Sequence, residues 1–477
     1  MTDDQVRDIA RRVVASLGGP GVSAPSPAPS AALSDRLTEG VFADIDSAVR
    51  AAAEAQRALV AMTLSDRNRI ISGIRKMILE HAEPLAAETV AETGFGRPED
   101  KTAKNRLAAE KTPGPEVLTP TARSGDHGLA LFEAAPYGVI GSITPVTNAT
   151  STIICNTIGM VAAGNSVVFN VHPSARKVSI RTVALINQAI REAGGPPNVV
   201  TTLAEPTIES AQELMKHAGV RLLCITGGAG VVKAAMRSGK RAICAGPGNP
   251  PVVVDETADL DQAGRDIVRG ASFDNNIVCV CEKEILAVSS IADALLASMK
   301  RQGAVVLTTV QLRQMERVLF PEREPGKIPA VEKSLIGRNV DVILSKIGVN
   351  VGPEIRLAVV ETDADHPLVL SEQMTPILPL VRVRSADEGI DLALKVEHGF
   401  RHSAIMHSRN LDNLSRMART MDCSIFVKNG PAVAGLGFGG EGHCSFSIAS
   451  PTGEGVTGPR NFARERRCVL VDHFRIV

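Results

Sequence analysis

The stretch LLCITGGAGVVKAA, residues 222–235, decides the fold class. Its apolar start, 221–225, reads as a buried strand, 226–230 as a glycine-rich turn, and 231–238 as a helix. Glycines in such a turn let backbone N–H groups approach a phosphate at the positive end of a helix. The spacing is not the G-x-G-x-x-G of the usual dinucleotide fingerprint, so by itself the turn suits tight strand–helix packing equally well. Outward from this stretch the alternation continues. Upstream, 166–170 and 199–204 read as strands, and 177–193 and 207–217 as helices. Further upstream, 44–62 and 66–93 are helical, 94–98 breaks them, and 129–133 and 139–143 are short strands. Downstream, a second series starts near Pro250-Pro251-Val252-Val253-Val254 and runs to about residue 427. Strands alternating with helices predict an α/β fold built on parallel sheets.

At roughly 150 residues per domain, 477 residues suggest about three domains. With no Trp and one Tyr the core must be largely aliphatic. Lys and Arg (52) balance Asp and Glu (52), which gives no electrostatic footprint for nucleic acid or a membrane surface. No apolar run approaches the roughly 18 residues that span a bilayer. Asp3 and Asp4 stand where a secretory signal would carry positive charge. None of the eight cysteines sits in a CxxC pair or at zinc-finger spacing, which fits a reducing cytoplasmic compartment.

The first 18 residues stand apart. Val6, Ile9, Val13 and Leu17 form one apolar stripe, Thr2 with Gln5 resembles a capping box, and Gly18-Gly19-Pro20 is a stop. Residues 19–34, with Pro25, Pro27 and Pro29 among small residues, read as a semi-extended linker. Self-docking of the helix needs no such spacer, so the pattern favours a docking peptide for another protein.

The segment SFDNNIVCVCEK, 272–283, places Cys279 after a polar pair, at the edge of a strand-like run. A thiolate is a strong nucleophile, although a cysteine in an apolar run is ordinarily buried and inert. Cys224, Cys244 and Cys423 take that inert reading, and Cys155 reads as a helix-core residue. Cys281 would share a face with Cys279 if both lay on a strand, and so is its rival.

These residues carry a resemblance. SFDNNIVCVCEKE resembles the nucleophile motif of the CoA-acylating branch of the aldehyde dehydrogenase superfamily. ITPVTNATSTIICN, AGNSVVFNVHPSA, LLCITGGAGVVKAA, AICAGPGNPPVVVD, HPLVLSEQMTPILPLVRV, EHGFRHSAIMHS and HCSFSIASPTGEGVTGPRNFARERRCVL match in the same order, covering about residues 35–477. Within that branch the likeness is to the propionaldehyde and acetaldehyde dehydrogenases of bacterial microcompartments. The implied fold has a Rossmann-like cofactor domain (35–120 and 138–243), an α/β catalytic domain (244–455) and a small β oligomerisation element (121–137 and 456–477). Residues 1–18 then resemble an encapsulation helix that binds shell proteins, which implies a location inside a microcompartment, and the enzyme is expected to be a homo-oligomer, dimer or tetramer.

The resemblance assigns roles. Cys279 is the nucleophile, and Asn148 with the Cys279 backbone N–H forms the oxyanion hole. Read as a residue alone, Asn148 in Pro145-Val146-Thr147-Asn148 is simply a turn residue. Thr226, Gly227, Gly228 and Val231 face the dinucleotide, Glu372 holds the nicotinamide ribose, and His172 and Pro173 replace the family's usual adenosine contact. NAD is the implied cofactor, and no acid in 170–174 rejects the 2′-phosphate of NADP. Coenzyme A is the implied co-substrate. Where hydrolytic members carry a glutamate base in an E-L-G-G motif, this chain has Cys244-Ala245-Gly246-Pro247-Gly248-Asn249-Pro250. Without that base, water attack on a thioester is slow and a thiol is the better nucleophile. The implied reaction is oxidation of a small aldehyde to its acyl-CoA. The alternatives are an acyl-phosphate reductase of the same fold, of the glutamyl phosphate reductase type, and a non-catalytic microcompartment cargo. His398, His402, His407 and His443 fit no metal spacing and read as structural or channel-lining. The run 464–467 reads as a surface or subunit contact, and the glycine-rich 435–442 is expected near the aldehyde pocket.

Overall fold

The computed structural model describes residues 39–477 apart from 323, 325 and 326. The expected N-terminal helix and its linker lie outside the described residues. Two wholly parallel sheets organise the rest. The first holds β1 (Val41–Phe42), β2 (Val139–Ile143), β3 (Ser166–Asn170), β4 (Val200–Leu203), β5 (Val220–Thr226) and β6 (Ala242–Ala245), in the order β1-β4-β3-β2-β5-β6. The second holds β7 (Pro251–Val254), β8 (Glu284–Val288), β9 (Ala304–Leu307), β10 (Leu357–Glu361), β11 (Ile377–Val383), β12 (Ser403–His407) and β13 (Ile425–Lys428), in the order β9-β10-β11-β8-β7-β12-β13. Every residue of β2, β3 and β8 is buried, as strands covered by helices on both faces require.

Local chemistry sets the helix limits. Helix α1 (Leu64–Thr93) starts at a capping box in which Thr63 and Asp66 satisfy each other's backbone N–H, and it stops at Gly94, whose left-handed φ of 69° ends the helix without a Cβ clash. Helix α2 (Pro98–Lys111) opens with proline in its first turn, where no N–H is needed. Helix α3 (Ala149–Ala162) is buried at every position, and helix α4 (Ala229–Met236) follows the glycine turn, beginning two residues earlier than the sequence suggests.

A separate antiparallel sheet pairs strand Gly128–Pro136 with Thr121–Gly125 on one side and Ala463–Val471 on the other. The last strand begins at residue 463 because it runs the full length of its partner, from Ala463 opposite Pro136 to Val471 opposite Gly128. Between the second sheet and this strand the chain returns to the first sheet: Val433, Leu436, Cys444, Phe446, Ile448 and Phe462 share a core with Ile153, Ile158 and Val167. No helix among the described residues is long and apolar enough to cross a membrane.

Candidate active site

The strand order of the first sheet reverses direction at β2, with β3 on one side and β5 on the other. Open α/β sheets bind ligands outside the carboxyl ends of the strands at such a point. Ile143 at the end of β2 stands level with Asn170 of β3 and Ile225 of β5. The segments that follow these residues therefore leave the sheet at one edge. They carry Asn148 after β2, His172 and Pro173 after β3, and Thr226, Gly227, Gly228 and Val231 after β5.

The glycine turn is built to admit a ligand. A Cβ at Gly228 would meet nothing within 4 Å, and no side chain caps the N-terminus of α4. Gly227 is held by a bond from its N–H to the Ala245 carbonyl (3.1 Å), and a Cβ there would press within 2.8 Å of Val231. Val231 is half-buried. Thr226 turns inward, its Oγ1 2.7 Å from Ser447 Oγ. His172 and Pro173 are exposed at the same edge, and His172 Nδ1 accepts from the Ser174 N–H at 3.1 Å. This open helix end, bounded by glycine and free of side-chain caps, fits a dinucleotide phosphate.

The second sheet supplies the nucleophile. After helix α5 (Leu260–Ser272) the chain forms a tight turn in which Asp274, Asn275 and Asn276 all have positive φ (48°, 55° and 65°). Dense bonding holds this turn. Asp274 accepts from the Arg97 N–H and from Lys101 and Lys104, and its own N–H donates to Asp100. Asn275 receives Arg97 Nε and donates to the Gly337 carbonyl and Asn339. Asn276 donates to the Ala271 and Glu282 carbonyls, and Lys283 Nζ donates to the backbone and side-chain oxygens of Asn276 at 2.6 Å each.

Residues 277–283 form turns rather than the expected strand, which begins only at Glu284. That removes the alternation that would have put both sulfurs on one face. Cys281 is fully buried with its Sγ 3.8 Å from the Phe273 carbonyl, whereas Cys279 is half-buried. Burial pushes the Cys279 thiol up to about 12, the Glu372 carboxylate adds to the rise, and the Lys283 and Lys104 ammoniums pull the other way. Cys224 and Cys244 are buried, as is Cys155, while Cys423 is half-buried.

Glu372 reaches the same place from the segment before β11, its Oε1 3.4 Å from the Gly248 N–H. Burial raises its carboxyl to about 7, against the pull of Lys283 and the Gly248 N–H. Gly248 packs closely against the nucleophile segment: a Cβ there would lie 2.7 Å from the Cys279 carbonyl oxygen and 2.9 Å from the His402 ring. The segment 244–250 thus lies against the nucleophile without offering a carboxylate of its own, and its Asn249 is spent on the Val369 and Val396 carbonyls.

Asn148 occupies the N-cap of α3, yet its side chain caps nothing. Its Oδ1 accepts from Lys104 Nζ at 2.8 Å. Asn148 does lie in the turn before α3, as the sequence suggests, but its side chain bonds Lys104 and not its own backbone. The glycine-rich loop approaches the same turn, with the Phe438 and Phe273 rings 5.3 Å apart beside a cleft of about 350 Å³.

Three residues of this site were not legible in the sequence. Lys101 and Lys104 lie in the charged stretch PEDKTAKNRLAAEK, a helix absent from the elements the sequence predicts, and both are 2% exposed. His402 was one of four scattered histidines. It is buried, its Nδ1 lies 2.8 Å from Ser403 Oγ, and its Nε2 has no protein partner.

Comparison with known proteins identifies the family. The model of the aldehyde dehydrogenase family matches residues 26–452. The acetylating acetaldehyde dehydrogenase EutE of Salmonella typhimurium is 52% identical over 92% of this chain and 94% of its own. The CoA-propanoylating propanal dehydrogenase of the same organism is 46% identical over 92% of this chain and 93% of its own. Among solved structures, the Rhodopseudomonas palustris propionaldehyde dehydrogenase with bound CoA and an acylated cysteine superposes with a TM-score of 0.89 at 50% identity, covering 91% of this chain and 99% of that one. The propionaldehyde dehydrogenase of the Clostridium phytofermentans fucose utilisation microcompartment gives 0.89 at 47% identity, covering 92% and 100%. On a family match spanning most of its length and relatives near half identity, this chain belongs to the aldehyde dehydrogenase family.

Proposed function

We propose that the protein oxidises a short aldehyde, acetaldehyde or propionaldehyde, to its coenzyme A thioester through a covalent acyl group on Cys279. The observation that carries this reading is the pairing of an accessible Cys279 in a braced turn with a facing segment, 244–250, that lacks a carboxylate base. The relatives named as acetylating and CoA-propanoylating enzymes support the same chemistry.

The Cys279 thiolate attacks the aldehyde carbonyl carbon to give a thiohemiacetal, and the oxyanion that develops is met by Asn148 Nδ2 and the Cys279 N–H. A nicotinamide dinucleotide, when bound, would supply the hydride acceptor. Thr226, Gly227, Gly228 and Val231 would hold its phosphates, with His172 and Pro173 on the adenosine side and Glu372 on the nicotinamide ribose. The resemblance implies NAD, while no acid in 170–174 rejects a 2′-phosphate and the engineered glycolyl-CoA reductase relative, 50% identical, has bound NADP+. The segment 244–250, which faces the resulting thioester, offers no carboxylate to direct water at it. The CoA thiol takes the acyl group as the bond to Cys279 Sγ breaks, and its proton passes to the departing sulfur, whose thiol form burial favours.

We also assign residues 1–18 to docking on microcompartment shell proteins, on the amphipathic pattern and the microcompartment origin of one relative. The sheet formed by 121–136 and 463–471 is assigned to contact with a second copy of this chain.

The test is nicotinamide absorbance with acetaldehyde, propionaldehyde and butyraldehyde, with and without CoA. Steady turnover is expected only with CoA, and Cys279→Ala should lose it entirely. Full-speed oxidation to free acid without CoA, or an active Cys279→Ala, would overturn the reading.

A further inference from the structure

Lys104 bridges the nucleophile turn and the oxyanion amide. Its Nζ is 2% exposed and donates to three acceptors at once: Asn148 Oδ1 at 2.8 Å, the Thr147 carbonyl at 3.3 Å, and a short bond to Asp274 Oδ2. Three acceptors use all three ammonium hydrogens, so the group has no freedom to turn elsewhere. Asp274 is itself fully buried, braced by Lys101 at 3.1 Å and the Arg97 N–H at 2.9 Å, and sits five residues before Cys279.

The consequence lies in the chemistry of the amide. A lysine ammonium only donates, so the atom of Asn148 that faces it must be oxygen. The amide cannot flip without placing N–H against N–H in a buried site. With Oδ1 held, Nδ2 must point the other way, and its one protein partner is Thr147 Oγ1 at 3.3 Å. One amide N–H is left over. We propose that Lys104, anchored by Asp274, is a positioning residue for the aldehyde oxidation step: it fixes the Asn148 amide with its donor side turned to the oxyanion formed on Cys279. This rests on the reading of Cys279 and Asn148 given above and goes beyond it by assigning the pair Lys104 and Asp274.

The test is a double-mutant cycle read by the burst of reduced nicotinamide in one turnover without CoA. Loss of one oxyanion donor typically costs about 100-fold or more, so Asn148→Ala should slow the burst by about that factor. Lys104→Met should slow it by a similar factor with KM for the dinucleotide and CoA unchanged. In the Asn148→Ala background Lys104→Met should add less than about threefold, because the amide it positions is already gone. A purely structural lysine would instead multiply the two losses, which would overturn the proposal while leaving Asn148 in its role. An Asn148→Ala enzyme with a normal burst would overturn the oxyanion reading itself, and the proposal with it. Should Lys104→Met fail to fold, Lys104→Met with Asp274→Asn removes the charge left behind and is read in the same cycle.

Discussion

Glu372 carries a carboxyl raised to about 7 by its burial, in a site where a carboxylate would accept bonds from ribose hydroxyls. The folded protein keeps this proton up to about pH 7, whereas an exposed glutamate gives it up near 4.5. Ionisation therefore costs the folded state stability as pH rises from about 4.5 to 7, and at the same time creates the better acceptor for cofactor. KM for the dinucleotide should fall as pH rises through about 7. Glu372→Gln should flatten that profile and raise KM at pH 8 about tenfold, the size expected for a lost charged hydrogen bond. It should also gain thermal stability relative to the parent at pH 8 but not at pH 5. A parallel pH profile in parent and variant would show that Glu372 does not bind cofactor. The role of Glu372 came from motif position alone; its contact with Gly248 needed the fold.

At the scale of the element, the nucleophile turn and helix α2 form one unit. The turn is left-handed at three consecutive residues, a conformation that isolated Asp and Asn adopt only at some cost, and it persists because Arg97, Asp100, Lys101 and Lys104 bind it from α2 and its approach. Gly96 makes the approach possible. It has φ of 77°, and a Cβ there would lie 1.9 Å from Asp274 Oδ1. Gly96→Ala should cost roughly 1–2 kcal/mol from its backbone conformation alone. Displacing Asp274 adds to that, so kcat should fall more than the stability loss explains. Denaturant midpoints and burst rates of the same preparation separate the two. Lys101 belongs to this unit as well: burial lowers its ammonium to about 8 against the pull of Asp274. Such a charge penalises folding below about pH 8, and the penalty fades above it. The sequence marked only the break at 94–98; the fold revealed helix α2 and the burial that turns its charges inward against 274–276.

For the whole molecule, the outer sheet leaves Val469, Leu470 and Val471 exposed, followed by Phe474, Ile476 and Val477. An exposed apolar run along one strand is an interface in want of a partner. If this strand is the subunit contact proposed above, Val469→Asp with Val471→Asp should lower the mass seen in light scattering, with the fold of the two parallel sheets retained by circular dichroism. Unchanged mass would place the subunit contact elsewhere. Removing residues 1–18 should leave activity in solution intact and abolish co-purification with shells; retained co-purification would show that the helix is not the address.

The sequence by itself determined the alternation of strands and helices, the glycine turn after β5, the nucleophile motif and the missing glutamate. These are local: each is written in hydrophobic period, turn chemistry or the identity of adjacent residues. Tertiary structure decided what depends on residues far apart in the chain. It separated Cys279 from Cys281 by ending the expected strand, brought 432–462 back to the first sheet's core, and set Lys104 between Asp274 and Asn148. A lysine in a charged helix looks solvated until distant acceptors enclose it, because burial is a property of what packs around a residue and not of the residue's own neighbours in sequence.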